Sequence, residues 1–531
     1  MSENNSYLGF DFSTQQLKAI VINDKLEVTH QSAVTYDTHL PEFRTHGGYL
    51  WNDLLTEATT PTLMWVKALD ILLDRLKLEG VDFSTVKSLS GAAQQHGSVY
   101  WKTGAEEILK KIQPNKFLHE ELQECFVKRR SPIWLDDSSY WECKQFEEAI
   151  GGPVALAQLT GSRAFERFTG NQILKYYQNK PGYYMYTERI SLISSFGATL
   201  FLGKYAPIDL SDASGMNILD IRTKSWSDLC LKAIAAPGLK EKLGDPVPVC
   251  TVLGPVSSYF IERYGFSENC KVVAFTGDNP ASLAGTQMNE NDMIISLGTS
   301  DTVILWLKQP KISVTGHTFI NPIDNNEFMG MLCFKNGSLT RERIRDECAE
   351  GSWELFNALL ESTPPGNFGN IGMFFDQKEI TPPAMGNFRF NKNNELIQRF
   401  SKEVDVRAVV EGQFVAKRLY AEEFGFKADP TSRIIATGGA STNKSLIQVL
   451  SDVFNLPVFT SEIANSACLG SALRAKHALL GEGVPFKDMF SKPLGLNLSA
   501  TPAKDAAEIY DPMVARYKIL QDRAVAETPP K

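Results

Sequence analysis

The amino-acid sequence predicts an α/β protein built from two similar domains. Strand-like and helix-like stretches alternate along 531 residues, a length at which one hydrophobic core rarely suffices. A strand–turn–strand pattern, LGFDFSTQQLKAIVI at 8–22, is echoed by IISLGTSDTVILWL at 294–307. A second pattern, SLSGAAQQHG at 88–97, is echoed by IIATGGASTN at 434–443. Because both echoes keep the same order, we predict one domain at 1–288 and a second at 289–531, facing each other across a cleft.

The composition excludes several classes of function. Hydrophobic residues make up 43% of the chain and charged residues 22%, as is usual for a globular enzyme, and the net charge of -8 argues against binding to nucleic acid or anionic membranes. The eight cysteines form no CxxC pair, the N-terminus has no signal-peptide pattern, and no apolar run is long enough to span a bilayer. We therefore expect a cytoplasmic protein. Separately, we expect it to be a monomer or a homodimer.

The two strand–turn–strand patterns carry hydroxyl groups at their turns. Ser13 and Thr14 lie in the first turn, and Thr299 and Ser300 lie in the second. Hydroxyls and backbone N–H groups at such turns can bind phosphate oxygens without a fixed positive charge. Asp11, beside the first turn, can hold Mg²⁺ through water, because Mg²⁺ gives up its waters reluctantly. The alternative is a pair of ordinary tight turns, since neither contains a Walker sequence.

Polar residues follow the strand that ends in GAAQQHG. Gln94, Gln95 and His96 come directly after small residues, at the carboxyl end of the strand, where α/β proteins place ligands. These side chains offer the donors and acceptors that a polyol or sugar needs. The alternative is a structural histidine. Arg167, in ERFTGNQI, lies before a turn, and its alternative is a surface ion pair with Glu166 or a neighbour.

The segment VVAFTGDNPASLAG places a carboxylate between a strand and a helix. Val272–Phe275 has the composition of a buried strand, and Pro280 suits the first turn of a helix. Asp278 can cap that helix, or it can act as a base that takes the proton of a phosphoryl acceptor, with Asn279 as an orienting amide.

The segment ATGGASTN has two glycines after a strand. Gly438 and Gly439 allow close approach of a flat ring or ribose to the backbone, and Asn443 can hydrogen-bond an adenine edge or a ribose hydroxyl. The alternative is a plain turn.

As a set, GFDFSTQQLK, SGAAQQHG, ERFTGNQI, FTGDNPASLAG, SLGTSDT and ATGGASTN resemble the FGGY family of carbohydrate kinases, from Tyr7 to about Leu480. This resemblance implies an α/β fold of two ribonuclease H-like domains, of the actin, hexokinase and Hsp70 ATPase type, that flank a central cleft. It also implies a kinase that uses ATP and Mg²⁺ to phosphorylate a small sugar. The combination of motifs is most similar to the eukaryotic members that convert D-xylulose to D-xylulose 5-phosphate.

The resemblance assigns roles to individual residues. Asp278 matches the catalytic base, and Asp11 matches the carboxylate near the metal. The sugar-binding positions match His96, Arg167, Asp278 and Asn279, and the nucleotide-binding positions match Thr14, Gln15, Gln16, Gly298, Thr299, Ser300, Trp353, Gly438, Gly439 and Asn443. The resemblance thus implies that the N-terminal domain binds the sugar and that the C-terminal domain binds the nucleotide.

Two other functions remain open at this point. The chain can be a kinase for another ketose or polyol, such as an L-ribulose kinase. It can also be a non-catalytic member of the same ATPase fold, which would need ATP but no acceptor base.

Overall fold

The computed structural model of the chain describes residues 5–461, 465–481, 483–490 and 495–528. Its backbone contacts divide the chain into two units. Unit 1 comprises 1–287, 312–329 and 465–491, and unit 2 comprises 288–311, 330–464 and 492–531. The chain therefore enters unit 1 three times. The predicted division into a sugar-binding and a nucleotide-binding part remains a prediction.

The first half of the chain supplies most of unit 1. Its strands are β1 (Ser6–Phe12), β2 (Gln16–Asn23), β3 (Val28–Thr35), β4 (Leu50–Trp51), β5 (Ala58–Pro61), β6 (Val86–Ala93), β7 (Ser98–Lys102), β8 (Arg130–Pro132), β9 (Thr187–Leu192), β10 (Leu219–Asp220), β11 (Ser225–Trp226), β12 (Val252–Pro255), β13 (Lys271–Val273) and β14 (Thr276–Gly277). Its helices are α1 (Tyr36–His39), α2 (Thr62–Leu78), α3 (Ala105–Leu109), α4 (Leu118–Glu121), α5 (Tyr140–Ile150), α6 (Pro153–Thr160), α7 (Thr169–Asn179), α8 (Pro181–Met185), α9 (Ile193–Leu202), α10 (Leu210–Ala213), α11 (Asp228–Ile234), α12 (Leu239–Leu243), α13 (Ser258–Tyr264) and α14 (Asp278–Gly285).

The second half continues with strands and helices of both units. Its strands are β15 (Met293–Leu297), β16 (Asp301–Leu307), β17 (His317–Asn321), β18 (Asp324–Phe334), β19 (Ile371–Phe375), β20 (Gly386–Phe390), β21 (Leu396–Ile397), β22 (Ile434–Thr437), β23 (Val458–Ser461) and β24 (Leu496–Ala500). Its helices are α15 (Ser338–Cys348), α16 (Trp353–Ser362), α17 (Lys402–Glu423), α18 (Lys444–Phe454), α19 (Ser466–His477) and α20 (Ala506–Ala526).

The central sheet of unit 1 has the strand order β12-β13-β6-β1-β2-β3, with β14 also beside β6. The pairs β13–β6 and β6–β1 are parallel, and the pairs β12–β13, β1–β2 and β2–β3 are antiparallel. The core beside it contains Phe10, Trp65, Phe196 and Phe201, all fully buried. The sheet therefore combines a hairpin edge with a parallel centre, where strand ends can build a site.

The sheet of unit 2 repeats this arrangement. The neighbours β24-β23-β22-β15-β16-β18 correspond in order to the six strands of unit 1. The directions also correspond, since β23–β24 and β15–β16 are antiparallel while β22–β23 and β15–β22 are parallel. In each unit a long helix, α2 or α17, precedes the parallel strand beside the hairpin. Both predicted hairpins and both echoed strands are present, which supports the internal duplication.

Helix α19 returns from the second half of the chain to unit 1. It packs along β1 and against α14, and the two helices approach closely at two glycines. A Cβ atom on Gly470 would lie 1.9 Å from the carbonyl oxygen of Ala281, and one on Gly285 would lie 1.9 Å from that of Ser466. These contacts hold α14, which begins at Asp278, against the sheet. In the described part of the chain no helix is both long and apolar enough to cross a membrane.

Candidate active site

Three neighbouring parallel strands of unit 1 end at the same edge of the sheet. The register pairs Asp11 of β1 with Ala92 of β6, and Ala92 in turn with Thr276 of β14. Asp11 therefore lies at the end of one strand, the Gln94–His96 segment follows the second, and Asp278 follows the third. The structure thus brings together at one edge of the sheet residues that the sequence separates by more than 250 positions.

The turn between β1 and β2 is held by its surroundings. Tyr36 donates from its backbone N–H to the carbonyl oxygen of Gln15 at 3.0 Å and from its hydroxyl to that of Ser13 at 3.3 Å. Gly48, at φ +85°, packs so closely that a Cβ would lie 1.9 Å from the carbonyl oxygen of Thr14. Thr14 is half-buried, Gln15 is exposed, and Gln16 begins β2. The turn is therefore held in place, and its tip is accessible.

Asp11 is buried and only partly satisfied. Its Oδ2 accepts a hydrogen bond from Ser13 at 2.5 Å and faces the Lys18 amine at 3.4 Å. Its buried Oδ1 has no hydrogen-bond partner among the described residues. Burial raises the pKa of this carboxyl, and Lys18 and Ser13 oppose that rise. Lys18 stands directly opposite Asp11 in the hairpin register.

The surroundings of Asp11 fit a water-held Mg²⁺ ion. The described residues contain no cluster of three or more His, Cys, Asp or Glu side chains that could form an all-protein metal cage. Mg²⁺ usually keeps several waters and binds through one or two carboxylates plus substrate phosphates. The partnerless Oδ1 of Asp11, next to a hydroxyl-bearing turn, supplies such a carboxylate oxygen.

Asp278 is the first residue of α14 and is partly exposed. Its Oδ1 accepts hydrogen bonds from the backbone N–H of Asn279 at 2.8 Å and from the Asn279 side chain at 3.2 Å. The Asn279 amide also donates to Oε1 of Gln95 at 3.1 Å. Burial, and next the negative charge of Asp11, raise the pKa of Asp278 to about 7. A carboxylate with this pKa suits general-base chemistry near neutral pH.

Gly277 lets two further polar side chains reach the base of α14. A Cβ at this position would lie 2.5 Å from Cγ of Gln95 and 2.9 Å from Oδ1 of Asp212. Asp212 is buried and accepts a hydrogen bond from Ser194 at 2.6 Å. Burial, and next the charge of Asp209, raise the pKa of Asp212 to about 8. Unit 1 therefore places a buried acid with a raised pKa behind Asp278.

His96 is fixed as a neutral ring. Its Nδ1 lies 2.9 Å from the carbonyl oxygen of Gly215, so Nδ1 carries the proton and Nε2 is an acceptor. The ring stacks on Phe168 with centroids 4.3 Å apart. Burial, and next the charge of Arg167, lower the pKa of His96 to about 3. The ring can thus accept a hydrogen bond from a sugar hydroxyl without carrying charge.

Arg167 lies among aromatic rings rather than beside an acid. Its guanidinium is 5.1 Å from the centroid of Phe165 and 5.7 Å from that of Phe168, and one nitrogen lies 3.2 Å from Nε2 of His317. Within the described ranges Arg167 contacts His317 and aromatic rings, and no ion pair joins it to Glu166 or to another carboxylate.

In unit 2, the second turn lies at the end of β15. Residues Gly298, Thr299 and Ser300 connect it to β16, and the tip is exposed at Thr299 and Ser300. Ser338, at the start of α15, donates from its backbone N–H to the carbonyl oxygen of Gly298 at 2.9 Å. A Cβ on Gly337 would lie 2.6 Å from the carbonyl oxygen of Thr299. The turn therefore packs directly against the beginning of a helix.

The glycine pair follows the neighbouring strand β22. Gly438, at φ +83°, packs on the backbone of Leu297, where a Cβ would lie only 2.6 Å from the carbonyl oxygen. Both Gly438 and Gly439 are exposed. Asn443 caps α18, with Oδ1 accepting from the backbone N–H groups of residues 445 and 446, and its Nδ2 donates to Asn357 at 2.9 Å. Turn 298–300 and the glycine pair therefore adjoin, whereas the Asn443 side chain is occupied by local structure.

Trp353 begins α16, the helix to which Asn443 is hydrogen-bonded through Asn357. The guanidinium of Arg345 lies 4.8 Å from its ring, and Phe356 meets it edge-on at 5.2 Å. The ring is partly exposed. Trp353 shares α16 with Asn357, the hydrogen-bond partner of Asn443, so it lies in unit 2 with the other predicted nucleotide-binding residues. That its ring stacks on a nucleotide base remains a prediction.

Behind the second turn lies a buried cluster of charges. The Asp301 carboxylate accepts two hydrogen bonds from Arg341, at 2.9 and 3.2 Å, and faces the Lys417 amine at 2.8 Å. Arg341 also donates to Gln413 at 2.6 Å, which in turn donates to the carbonyl oxygen of Asn336 at 2.9 Å. Burial alone would raise the pKa of Asp301, but Lys417 and Arg341 outweigh it and lower the pKa.

Several residues of the site were not identified from the sequence. Trp134 is exposed and donates from its indole N–H to the Thr14 hydroxyl at 2.9 Å. Lys18, Asp212 and His317 also reach the predicted residues. Of these four residues, only Lys18 could have been found from the sequence. In an antiparallel hairpin with its turn at residues 13–15, residue 18 lies opposite residue 11. The others come from loops and strands distant in sequence.

The sequences of both units match models of a known protein family. Family models of the FGGY carbohydrate kinases match the chain twice, with the N-terminal domain model at 128–285 and the C-terminal domain model at 293–479. The chain belongs to the FGGY family of carbohydrate kinases. It is thus an enzyme whose substrates are a sugar and ATP.

Particular relatives are similar over nearly the whole chain. Xylulose kinase from Rattus norvegicus is 53% identical over 522 residues, which cover 98% of this chain and 97% of the relative. Xylulose kinase 2 from Arabidopsis thaliana is 44% identical, with 92% and 90% covered.

Solved structures confirm the predicted fold. A kinase from Brucella ovis described as a xyloylose kinase superposes with a TM-score of 0.82 at 18% identity, covering 98% of this chain and all of that one. Glycerol kinase from Plasmodium falciparum, solved with ADP, gives 0.77 at 16% identity, covering 99% of each chain. At these identities the likeness concerns the fold alone, and it agrees with two ribonuclease H-like domains.

Proposed function

We propose that this chain transfers the γ-phosphoryl group of ATP to the 5-hydroxyl of D-xylulose, giving D-xylulose 5-phosphate. The observation that carries the proposal is Asp278, a carboxylate with a pKa of about 7 at the end of a strand, beside the polar Gln94–His96 segment. Xylulose kinases that are 53% and 44% identical over nearly the whole chain support the choice of D-xylulose among the sugars of the family.

Asp278 acts in this proposal as the general base. It accepts the proton of the 5-hydroxyl as that oxygen attacks the γ-phosphorus in line. Asn279 donates two hydrogen bonds to one oxygen of Asp278, at 2.8 and 3.2 Å, so the side chain is held in one orientation. The second oxygen is left to face the sugar. Positioning of this kind provides much of the rate in phosphoryl transfer, which needs little covalent chemistry from the protein.

The sugar is bound by His96, Arg167, Asp278 and Asn279. The acceptor Nε2 of His96 and the donors of Arg167 complement the hydroxyl and keto oxygens of a ketose. The aromatic rings beside Arg167 remove water from its guanidinium and strengthen its hydrogen bonds to neutral oxygens.

The phosphates are bound by the two turns, and the nucleotide base by unit 2. Thr14, Gln15 and Gln16 serve in the first turn, and Gly298, Thr299 and Ser300 serve in the second, where hydroxyl and backbone N–H donors meet phosphate oxygens. Gly438, Gly439, Asn443 and Trp353 form the adenosine side. Mg²⁺, bound near Asp11, would supply the positive charge that balances the phosphate oxygens.

A reducing compartment suits the chain. Cys125, Cys143, Cys230, Cys270 and Cys468 are buried thiols without disulfide bonds, and burial raises the pKa of each. Together with the composition of the chain, this supports a cytoplasmic enzyme without membrane or nucleic-acid partners. We propose a monomer or a homodimer as its assembly.

The proposal is tested by ADP release from the purified chain with ATP, Mg²⁺ and a panel of ketoses and polyols. We expect D-xylulose to give the highest kcat/KM. A higher kcat/KM with L-ribulose or another polyol would assign the enzyme to that substrate instead. If no sugar stimulated ADP release, the chain would be a non-catalytic member of the fold.

A further inference from the structure

Arg167 has an unusual neighbour in unit 1. His317 lies on β17, in the second half of the sequence, yet residues 312–329 belong to unit 1. Two hydrogen bonds hold this strand in place. The Thr318 backbone N–H donates to the carbonyl oxygen of Gly161 at 2.9 Å, and the Ser211 hydroxyl donates to that of Ile320 at 2.7 Å. The strand therefore brings His317 to Arg167 across 150 positions of sequence.

The chemistry of this contact fixes the state of the imidazole. A guanidinium has only donors, so Nε2 of His317, 3.2 Å from Arg167, must accept. Nδ1 then carries the proton and donates to the Ser162 hydroxyl at 3.1 Å. His317 is buried, and burial together with the charges of Arg167 and His96 holds its pKa well below the usual range. In this contact the ring is therefore a neutral acceptor.

The remaining surroundings of Arg167 hold it without neutralising it. Phe165 and Phe168 face its guanidinium, and His317 itself packs edge-on against Phe165 with centroids 4.7 Å apart. Since no described carboxylate pairs with Arg167, its charge and most of its five donors stay available to a ligand. A carboxylate in place of His317 would occupy two of those donors in a bidentate pair.

We propose that His317 is a positioning residue for sugar recognition: its Nε2 orients the guanidinium of Arg167 toward the hydroxyl and keto oxygens of the ketose. This inference rests on the proposed function. It assigns to the sugar side a residue that lies in the predicted nucleotide-binding half of the sequence.

The test compares the KM values of both substrates in purified variants. His317→Leu removes the acceptor while keeping an apolar side chain of similar bulk, and we expect the KM for D-xylulose to rise about 10- to 100-fold, the scale of a lost charge-assisted hydrogen bond. The KM for ATP should change less than about twofold. His317→Gln, whose amide oxygen can accept from Arg167, should restore most of the sugar affinity.

A second variant and a control separate positioning from folding. Ser162→Ala removes the Nδ1 partner of His317 without changing the packing around Arg167, and it should raise the KM for D-xylulose about three- to tenfold. His477→Leu, at a half-buried histidine bonded to Val484, should leave both KM values unchanged. If His317→Leu does not fold, Ser162→Ala and His317→Gln decide.

The possible outcomes are distinct. A sugar KM within twofold of wild type in both His317→Leu and Ser162→Ala, or in Ser162→Ala alone if the other variant does not fold, would overturn the inference and leave the proposed function intact. An equal rise in the KM for ATP would also overturn it, because a general structural defect would explain that result. A wild-type chain without sugar-dependent ADP release would overturn the proposed function and this inference with it.

Discussion

Asp11 lies near the end of the first strand of the hairpin in unit 1, whereas Asp301 begins the second strand of the corresponding hairpin in unit 2, and the two carboxylates have different partners. Asp301 is fully buried and bonded to Arg341 and Lys417, and these cations lower its pKa. Asp11 has one amine at 3.4 Å, a buried oxygen without a partner in the described chain, and a raised pKa. The two hairpins therefore carry carboxylates on opposite sides of the turn, a structural one in unit 2 and an incompletely satisfied one in unit 1.

The difference extends to the neighbours of Asp11. Asp278 and Asp212 in unit 1 also have raised pKa values, about 7 and about 8, with burial as the first cause in each. Strongly perturbed acids cluster at functional sites because reactivity needs groups that the fold does not fully satisfy. We therefore expect replacement of Asp11 or Asp278 by uncharged asparagine to reduce activity. The same replacement of Asp301 in unit 2 should reduce stability.

The largest effect is expected at Asp278. Asp278→Asn keeps the shape of the side chain but removes the base, so kcat should fall roughly 10²- to 10⁴-fold while D-xylulose still binds. The melting temperature should not fall, because a carboxylate whose pKa is raised by burial adds no stability in its charged form. Sugar-dependent ADP release measures the first effect. Asp82→Asn, at an exposed surface turn, is the control with normal turnover, and turnover near wild type in Asp278→Asn would rule out the base.

The buried cluster of unit 2 should respond in the opposite way. Asp301→Asn leaves Arg341 and Lys417 buried without their anion, which should cost about 3–5 kcal/mol of stability. The melting temperature should fall on the order of 10 °C. The double variant Asp301→Asn with Lys417→Met should recover part of that loss, because it removes one uncompensated charge. An unchanged melting temperature in Asp301→Asn would contradict the structural role.

At Asp11 we expect a change in metal dependence. Asp11→Asn should raise the Mg²⁺ concentration for half-maximal activity about 10- to 100-fold, the scale of a lost outer-shell metal partner. Its thermal stability should stay near wild type, since Lys18, the cation left behind, is partly exposed. Mg²⁺ titrations of sugar-dependent ADP release make the measurement. A titration curve that overlays that of wild type would remove Asp11 from the metal site.

The smallest expected effect is a pH-dependent gain in stability at Asp212. Its pKa is about 8 in the folded chain against an ordinary value of 3.8. The folded state therefore binds more protons than the unfolded state between about pH 4 and pH 8, and this residue lowers stability as pH rises through that window. The melting temperature of Asp212→Asn relative to wild type should increase from about pH 5 to about pH 8 by a few degrees. A constant difference across that range would show that Asp212 is not perturbed.

Local patterns predicted much of the fold. The hairpins at 8–22 and 294–307, the strand Val86–Ala93 and the helix starting at Asp278 all follow from apolar periodicity and turn residues, and all are present. The structure adds the parallel pairing of β1 with β6, which aligns Asp11 with Ala92 and which recurs in unit 2 between β15 and β22.

Long-range contacts were beyond the sequence. His317 is the first residue of the strand His317–Asn321, and no motif around it indicates a binding residue. Nothing in the local sequence indicates that residues 312–329 return to unit 1. The segment LSDAS around Asp212 has the composition of a helix and indicates no role in a site. Asp212 can approach the start of α14 because Gly277 has no side chain there. Such contacts arise when elements that are distant in sequence pack together. Local sequence patterns carry no information on that packing.

The central claim, phosphoryl transfer to the terminal hydroxyl of D-xylulose, is tested most directly by the position of the phosphate in the product. The purified chain is incubated with ATP, Mg²⁺ and ¹³C-labelled D-xylulose, and the product is examined by ³¹P and ¹³C NMR. We predict one new phosphate monoester coupled to C5, formed in equal amount to ADP. ADP without a sugar phosphate, or a phosphate on another carbon, would contradict the account.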